Sequence, residues 1–396
     1  MLDICLSLSL LANSEYKNDT ALVCLKNIRS EDRDTAVSAY SGLCGILLSR
    51  GQSLSRYIFL LAADKGGSIF DEYLRTGSKL LYDNISRDIA ILSRLSALKP
   101  DELISDIRTR FSISEDIVFP YYENGDTVLT AETVAEYKRR YGTSLFERSK
   151  AFICDKGDIT PVEHFDRIRL CDLKNYDTQR KAVIDNTLCF INGSKYSNVL
   201  LYGDRGTGKS STVKAVVNEY PELRIVLVRK SDLTELYGIY DRLRGNPLKF
   251  ILFLDDVNFE EGDPGYGVLK QALEGSVNVM PDNCVIYATT NRRHIIKETA
   301  SERSDEHNEA DARDEKASLA DRFGLYITFM MPDKRGYLDI VKRIAADREL
   351  DIPEDRLVML AERYALRKNG RSPRTARQLV DMLEARMELG LDIERI

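Results

Sequence analysis

The sequence predicts an α/β protein, in which a parallel sheet covered on both faces by helices lies between an all-helical N-terminal region and a small helical C-terminal domain. Three observations carry that reading. After Asn175, five short apolar runs ("NVLLYG", "RIVLVRK", "FILFLDDV", "NCVIYATTN", "GLYITFMM") alternate with helical patterns. Strands that are apolar on both faces belong to sheets buried on both sides. Before residue 113, Leu, Ile and Ala recur at mixed three- and four-residue spacing, the helical period. From Asp333 the strand-like runs stop and three helical stretches follow.

The bulk properties are those of a soluble globular chain. At 396 residues there is room for two or three domains, each with its own core. The chain is 43% hydrophobic and 30% charged, with no Trp, and its net charge of −6 gives no electrostatic case for nucleic-acid binding by the whole molecule. Seven cysteines stand singly, with no C-x-x-C pair. That argues against a zinc site and a disulfide framework and fits buried thiols in a reducing, cytoplasmic compartment. The opening "MLDICLSLSLLANSEYKND" carries Asp3 where a signal peptide needs positive charge. Its apolar run is too short to span a bilayer, so a first buried helix is expected and no membrane association.

Taken in order, residues 1–112 read as a helical module, clearest in "DTAVSAYSGLCGILLSR" and "SRDIAILSRLSAL". Such a module packs against the rest of the chain or binds a partner, and the pattern does not choose between these. Residues 113–172 form a mixed connecting segment, with "FPYYENGDT" a turn-rich break and "TAETVAEYKRRYG" a helix ended by Gly142. Residues 173–332 hold the α/β core and 333–396 the helical domain. Residues 297–317 are polar and acidic with no apolar period, which predicts an exposed loop.

The core opens with "LLYGDRGTGKSST", residues 200–212, in which three glycines interrupt an apolar strand and precede a lysine and hydroxyls. Gly203 to Ser210 match G-x-x-x-x-G-K-S/T, between a strand and a helix, the context this phosphate-binding loop requires. Glycines let successive backbone N–H groups turn inward as a nest around an anion. The helix from Lys209 adds its dipole and its unpaired first-turn N–H groups. The loop Gly203-Asp204-Arg205-Gly206-Thr207-Gly208, with Ser211, is thus expected to cradle a nucleoside triphosphate. Lys209 would reach its β- and γ-phosphates, and the Ser210 hydroxyl would coordinate Mg²⁺.

"KFILFLDDV" ends in Asp255 and Asp256, which places two carboxylates at the carboxyl edge of the sheet, where ligands of open α/β sheets bind. Asp255 is the expected holder of Mg²⁺ and Asp256 the group that orients the attacking water. Glu260 and Glu261 are second candidates for that role. "VIYATTN" sets Thr290 and Asn291 at the end of another buried strand, a seat for a polar group that senses a γ-phosphate. "SLADRFG" carries Arg322, and "GRSPRTARQL" carries Arg371, Arg374 and Arg377. Ser372 can cap a helix with Pro373 at its first position. Arg374 then lies in the first turn, where the dipole disfavours a cation, a conflict that a bound anion resolves.

With these residues in place, residues from about 150 to 390 resemble the AAA+ superfamily of P-loop ATPases. More closely, they resemble a bacterial family of AAA+-like ATP-binding proteins akin to helicase-loader and transposition-helper ATPases. The motifs are "NTLCFINGSKYSNVLLYGDRGTGKSS", "LDDVNFEEGD", "ATTNRRH", "SLADRFGL" and "SPRTARQLV", in this order. The resemblance implies a five-stranded parallel sheet with a helical lid, ATP and Mg²⁺ as ligands, and a homo-oligomer acting on a macromolecular partner. It implies that Gly203, Gly208, Lys209 and Ser210 belong to Walker A, and that Asp255 and Asp256 form Walker B. Asn291 becomes the sensor-1 residue, Arg322 the arginine finger and Arg374 the sensor-2 arginine. "LKNYDTQRKAV" matches the segment flanking the adenine, with Tyr176 and Gln179 as candidates. Many AAA+ motors carry Glu where this chain has Asp256, and one methylene less changes where the carboxylate can hold water. Slow turnover is therefore expected, a switch rather than a processive motor. A P-loop kinase of a small molecule and an ATP-binding module without hydrolysis are the competing readings. The basic stretches "NRRH" and "KNGRSPR" fit nucleotide contact better than nucleic-acid contact.

Overall fold

The computed structural model describes residues 3–259, 263–274, 279–291, 322–368 and 370–394. Glu260, Glu261 and the acidic stretch 297–317 lie outside the described residues. The chain divides into two compact units, Met1–Glu147 and Arg148–Ile396.

The first unit is helical throughout its regular structure among the described residues, from α1 (Ile4–Ser9) to α10 (Ser144–Arg148). Its core is built from the apolar faces of those helices, with Leu22, Leu25, Tyr40, Leu43, Ile58 and Leu92 all buried. The break after residue 112 forms no helix and is held to the core by side chains. Tyr40 Oη donates to the Pro120 carbonyl at 2.9 Å, and Tyr122 Oη donates to the Leu98 carbonyl at 2.8 Å. The helix Ala131–Tyr141 starts at a Thr130 cap and stops at Gly142, whose φ of 71° few other residues adopt.

The second unit departs from the expected five parallel strands. Its sheet has seven among the described residues: β1 (Ala151–Asp155), β2 (Asp158–Pro161), β3 (Val199–Gly203), β4 (Leu223–Leu227), β5 (Lys249–Leu254), β6 (Cys284–Thr290) and β7 (Leu325–Phe329). The five apolar runs form β3 to β7. β1 extends the parallel set against β4, and β2 returns antiparallel on β1. The physical reason is the turn Lys156-Gly157, with φ of 51° and 83°. Two central residues at positive φ make the turn whose twist suits a two-residue hairpin. The runs "AFICD" and "DITP" are too short and too polar to announce themselves by periodicity.

Strand order is β2-β1-β4-β5-β6-β3-β7. β6, with all seven residues buried, therefore lies between β5 and β3. The loops leaving β3, β5 and β6 meet at one carboxyl edge. Around the sheet run α11 (Asp177–Ile191), α12 (Lys209–Glu219), α13 (Leu236–Leu243) and α14 (Pro264–Glu274). Three further helices, α15 (Lys334–Asp347), α16 (Glu354–Arg367) and α17 (Pro373–Glu388), pack on one another through Tyr337, Ile340, Leu360, Leu379 and Leu383. α17 begins as its sequence dictates: Pro373 is its first residue, and the Ser372 hydroxyl accepts from the Thr375 amide at 3.1 Å.

Candidate nucleotide-binding site

A cleft of about 610 Å³ opens at that carboxyl edge, a size ordinary for a small-molecule site. Arg205 through Thr212 form one wall, Asp255, Asp256, Thr289 and Asn291 another, and Arg374 and Arg377 come from α17. An apolar end is supplied by Ile168, Leu173, Tyr176, Phe329, Ile340 and Ile344.

The three loop glycines serve three different purposes. Gly203 has φ 139°, and a Cβ there would stand 2.0 Å from the Phe329 carbonyl oxygen of β7. What approaches Gly203 is thus the neighbouring strand, and this residue does not line the cleft. Gly206, at φ 80°, faces the start of α17: an added Cβ would stand 3.0 Å from Ser372 Oγ, and the Arg374 amide donates to the Gly206 carbonyl at 3.2 Å. Gly208, at φ 96°, has nothing within 4 Å of such a Cβ. It is the N-cap of α12 and offers no side-chain acceptor, so the first-turn N–H groups keep their capacity for an anion.

Lys209 is buried, and its ammonium donates to the carbonyls of Gly203 (2.7 Å) and Asp204 (2.8 Å) and to Asn291 Oδ1 (2.8 Å). Burial lowers its pKa below the ordinary lysine value; Asp204, Asp256 and Asp255 oppose that shift, while Arg374 adds to it. Ser210 Oγ donates to Asp255 Oδ1 at 2.6 Å, and Thr289 Oγ1 donates to the same oxygen at 2.7 Å. Asn291 Nδ2 donates to Asp256 Oδ1 at 2.6 Å. Asn291 thereby links the ammonium to the second carboxylate.

The sequence profile of a family described as "Protein of unknown function (DUF815)" matches residues 147–387. The chain belongs to that family. The match covers the second unit and leaves nearly all of the first outside it. No curated protein matches the chain. Among solved structures, the Thermotoga maritima RuvB Holliday junction branch migration motor is similar over 57% of this chain and 67% of its own, with 17% identity and a TM-score of 0.41. Two variants of that motor align over the same share of this chain: one at 17% identity, 69% of its own length and TM-score 0.42, the other at 15%, 70% and 0.41.

Several sequence-singled residues stand elsewhere. Asp204 turns its carboxylate away from the cleft, accepting from the Met331 amide at 2.7 Å. Thr290 is buried in β6 and does not line the cleft; Thr289 does. Strand alternation is the signal that finds it, since Asn291 shares a face with residue 289 and not with 290. Gln179 donates to the Thr328 carbonyl at 3.3 Å, whereas Tyr176 does reach the cleft, its hydroxyl donating to the Met330 carbonyl at 2.6 Å. Burial, with Asp204 nearby, pushes the Tyr176 phenol up to about 12. Arg371 pairs with Glu362 at 2.9 Å, outside the cleft. Arg322 is ion-paired with Glu274 at the end of α14, also outside it. Arg377 donates to the Asp172 carbonyl at 3.1 Å and Lys174 pairs with Asp347, so α17 and α15 are tied to the segment before α11.

The oxygen set suits a hard cation. One hydroxyl and one carboxylate lie in contact at the cleft wall, and Mg²⁺ commonly takes few protein ligands and completes its shell with water and phosphate oxygens. Among the described residues no group of three or more His, Cys, Asp or Glu side chains gathers as a metal cluster. No described helix is long and apolar enough to cross a membrane.

Proposed function

We propose that the chain is an AAA+-type, Mg²⁺-dependent ATPase that works as a nucleotide switch on a macromolecular partner. The observation that carries this reading is the single network Lys209–Asn291–Asp256 beside Ser210–Asp255, at the mouth of an uncapped helix N-terminus. An acidic pair alone fits many chemistries. An acidic pair joined through one amide to a buried ammonium fits a polyphosphate whose terminal group reacts with water.

In this reading the triphosphate lies along Gly206 to Ser211, and Lys209 exchanges its carbonyl partners for phosphate oxygens. Arg374 reaches the phosphates from the lid, and the base stacks at the apolar end beside Tyr176. Ser210 and Asp255 would hold Mg²⁺, which when bound neutralises charge on the phosphate oxygens. Asp256 accepts a proton from water as the water oxygen bonds to the γ-phosphorus. The bond from that phosphorus to the β–γ bridging oxygen breaks, and ADP leaves with phosphate. The Asn291 amide holds the Asp256 carboxylate toward the reacting end. Arg322 would contribute in trans, leaving Glu274 for a neighbouring subunit's phosphate in an oligomer. The two adjacent aspartates favour kinship with loader-like ATPases, and the helical first unit is the proposed partner-binding part.

The test is phosphate release from ATP with no added acceptor, together with titration of a fluorescent ATP analogue. The parent should bind and hydrolyse. Lys209→Ala should lose binding, and Asp256→Asn should bind normally and lose hydrolysis. Hydrolysis unchanged in Asp256→Asn removes that residue from the reaction; phosphate transfer only to an added small molecule replaces the switch with a kinase.

A further inference from the structure

We propose that Thr289 is a positioning residue that sets both acidic side chains, acting through the backbone of Asp256. This rests on the ATPase reading above. Asp256 has φ 52°, a left-handed conformation that residues with a side chain seldom adopt. Something must hold it there, and the bonds of Thr289 do. Its hydroxyl accepts the Asp256 amide at 2.8 Å and donates to Asp255 Oδ1 at 2.7 Å. Its carbonyl accepts the Val257 amide at 2.8 Å. One β6 residue thus clamps three successive residues of the turn after β5.

A hydroxyl does this from a single atom, because that oxygen is donor and acceptor at once. At 1% exposure Thr289 has little access to water, so its rotamer is set by those two partners. The consequence at the site is directional. With its backbone in the left-handed region, Asp256 presents Oδ1 to Asn291 at 2.6 Å, and Asn291 in turn meets Lys209. Asp255 Oδ1 takes bonds from both Ser210 and Thr289. When a cation claims Ser210, the Thr289 bond still aims the Asp255 carboxylate.

Thr289→Val keeps shape and β-branching and removes only the hydroxyl; Thr289→Ser keeps the hydroxyl and removes a methyl. ATP hydrolysis by the Val variant should fall roughly tenfold to a hundredfold in kcat, a part of the roughly 10²–10⁴-fold that a positioned base contributes, with KM and ATP-analogue affinity close to parental. The Ser variant should recover most of the rate. Amide hydrogen exchange at Asp256 gives a readout that needs no turnover: it should quicken in the Val variant and not in the Ser variant. Parental kcat in the folded Val variant, a Ser variant as slow as Val, or unchanged Asp256 exchange each overturns the proposal. A parent that fails to hydrolyse ATP refutes the ATPase reading instead, and the exchange experiment still decides whether Thr289 holds the turn.

Discussion

Alanine at Gly203 and at Gly208 should separate stability from ligand binding within one loop. At Gly203 the new Cβ would sit 2.0 Å from the Phe329 oxygen and 2.6 Å from its carbonyl carbon. Both are backbone atoms of a strand paired to β3 along its length, from Val199↔Leu325 to Gly203↔Phe329. Relief requires moving one strand by about 1 Å, and overpacking a close-packed interior costs roughly 1–3 kcal/mol or more. The φ of 139° adds backbone strain of about 1–3 kcal/mol for a residue with a side chain. The sum, roughly 2–6 kcal/mol, is a large part of the 5–15 kcal/mol that ordinarily holds a domain together. Gly208→Ala meets no atom within 4 Å and carries only the positive-φ term, about 1–2 kcal/mol. Urea unfolding followed by circular dichroism should therefore show a much lower midpoint for Gly203→Ala than for Gly208→Ala. Nucleotide titration of the folded fraction should show weakened binding for Gly208→Ala. Equal midpoints for the two variants would refute the assignment of Gly203 to strand packing.

Three further outcomes follow from particular residues. Arg322→Ala should bind ATP and hydrolyse it poorly, and mixing it with Lys209→Ala should restore part of the activity if the arginine acts across subunits; a mixture inactive at every ratio confines Arg322 to a role within its own chain, such as its pair with Glu274. ATP affinity should fall as pH rises through the lowered pKa of Lys209, since only the charged form attracts phosphate; an affinity flat from neutral pH to the ordinary lysine value of 10.5 contradicts this. Burial pushes the Cys284 thiol from 9.0 up to about 12, so the folded state holds its proton more tightly than the unfolded state. The stability this contributes is fully present below about pH 9 and is lost as pH rises toward 12, by at most about 1.4 kcal/mol per pH unit. Cys284→Ala should flatten that part of the unfolding-versus-pH curve, and an unchanged slope would remove Cys284 as its source.

Much of this was legible in the sequence because it is local. The five apolar runs, the Ser372 cap, the stop at Gly142 and the phosphate-loop pattern each depend on residues within a few positions of one another. Hydrophobic period and capping chemistry act over one or two turns, so a linear string displays them. The hairpin β1–β2 was not legible, since four or five residues around Lys156-Gly157 carry too little period to stand out.

What only the tertiary structure decided is which of those local features touch. Nothing in the string states that β6 inserts between β5 and β3, yet that order is why Asn291 can bond Lys209 on one side and Asp256 on the other. Nor does the motif reveal that Gly203 yields its side chain to Phe329, some 126 residues onward, while Gly206 yields to Ser372. The sequence by itself determined the five apolar strands, most of the helices and the chemistry each carries to its end. Pairing of distant strands determined the site, because side chains from four separate segments can meet only where a parallel sheet brings its carboxyl ends to one edge.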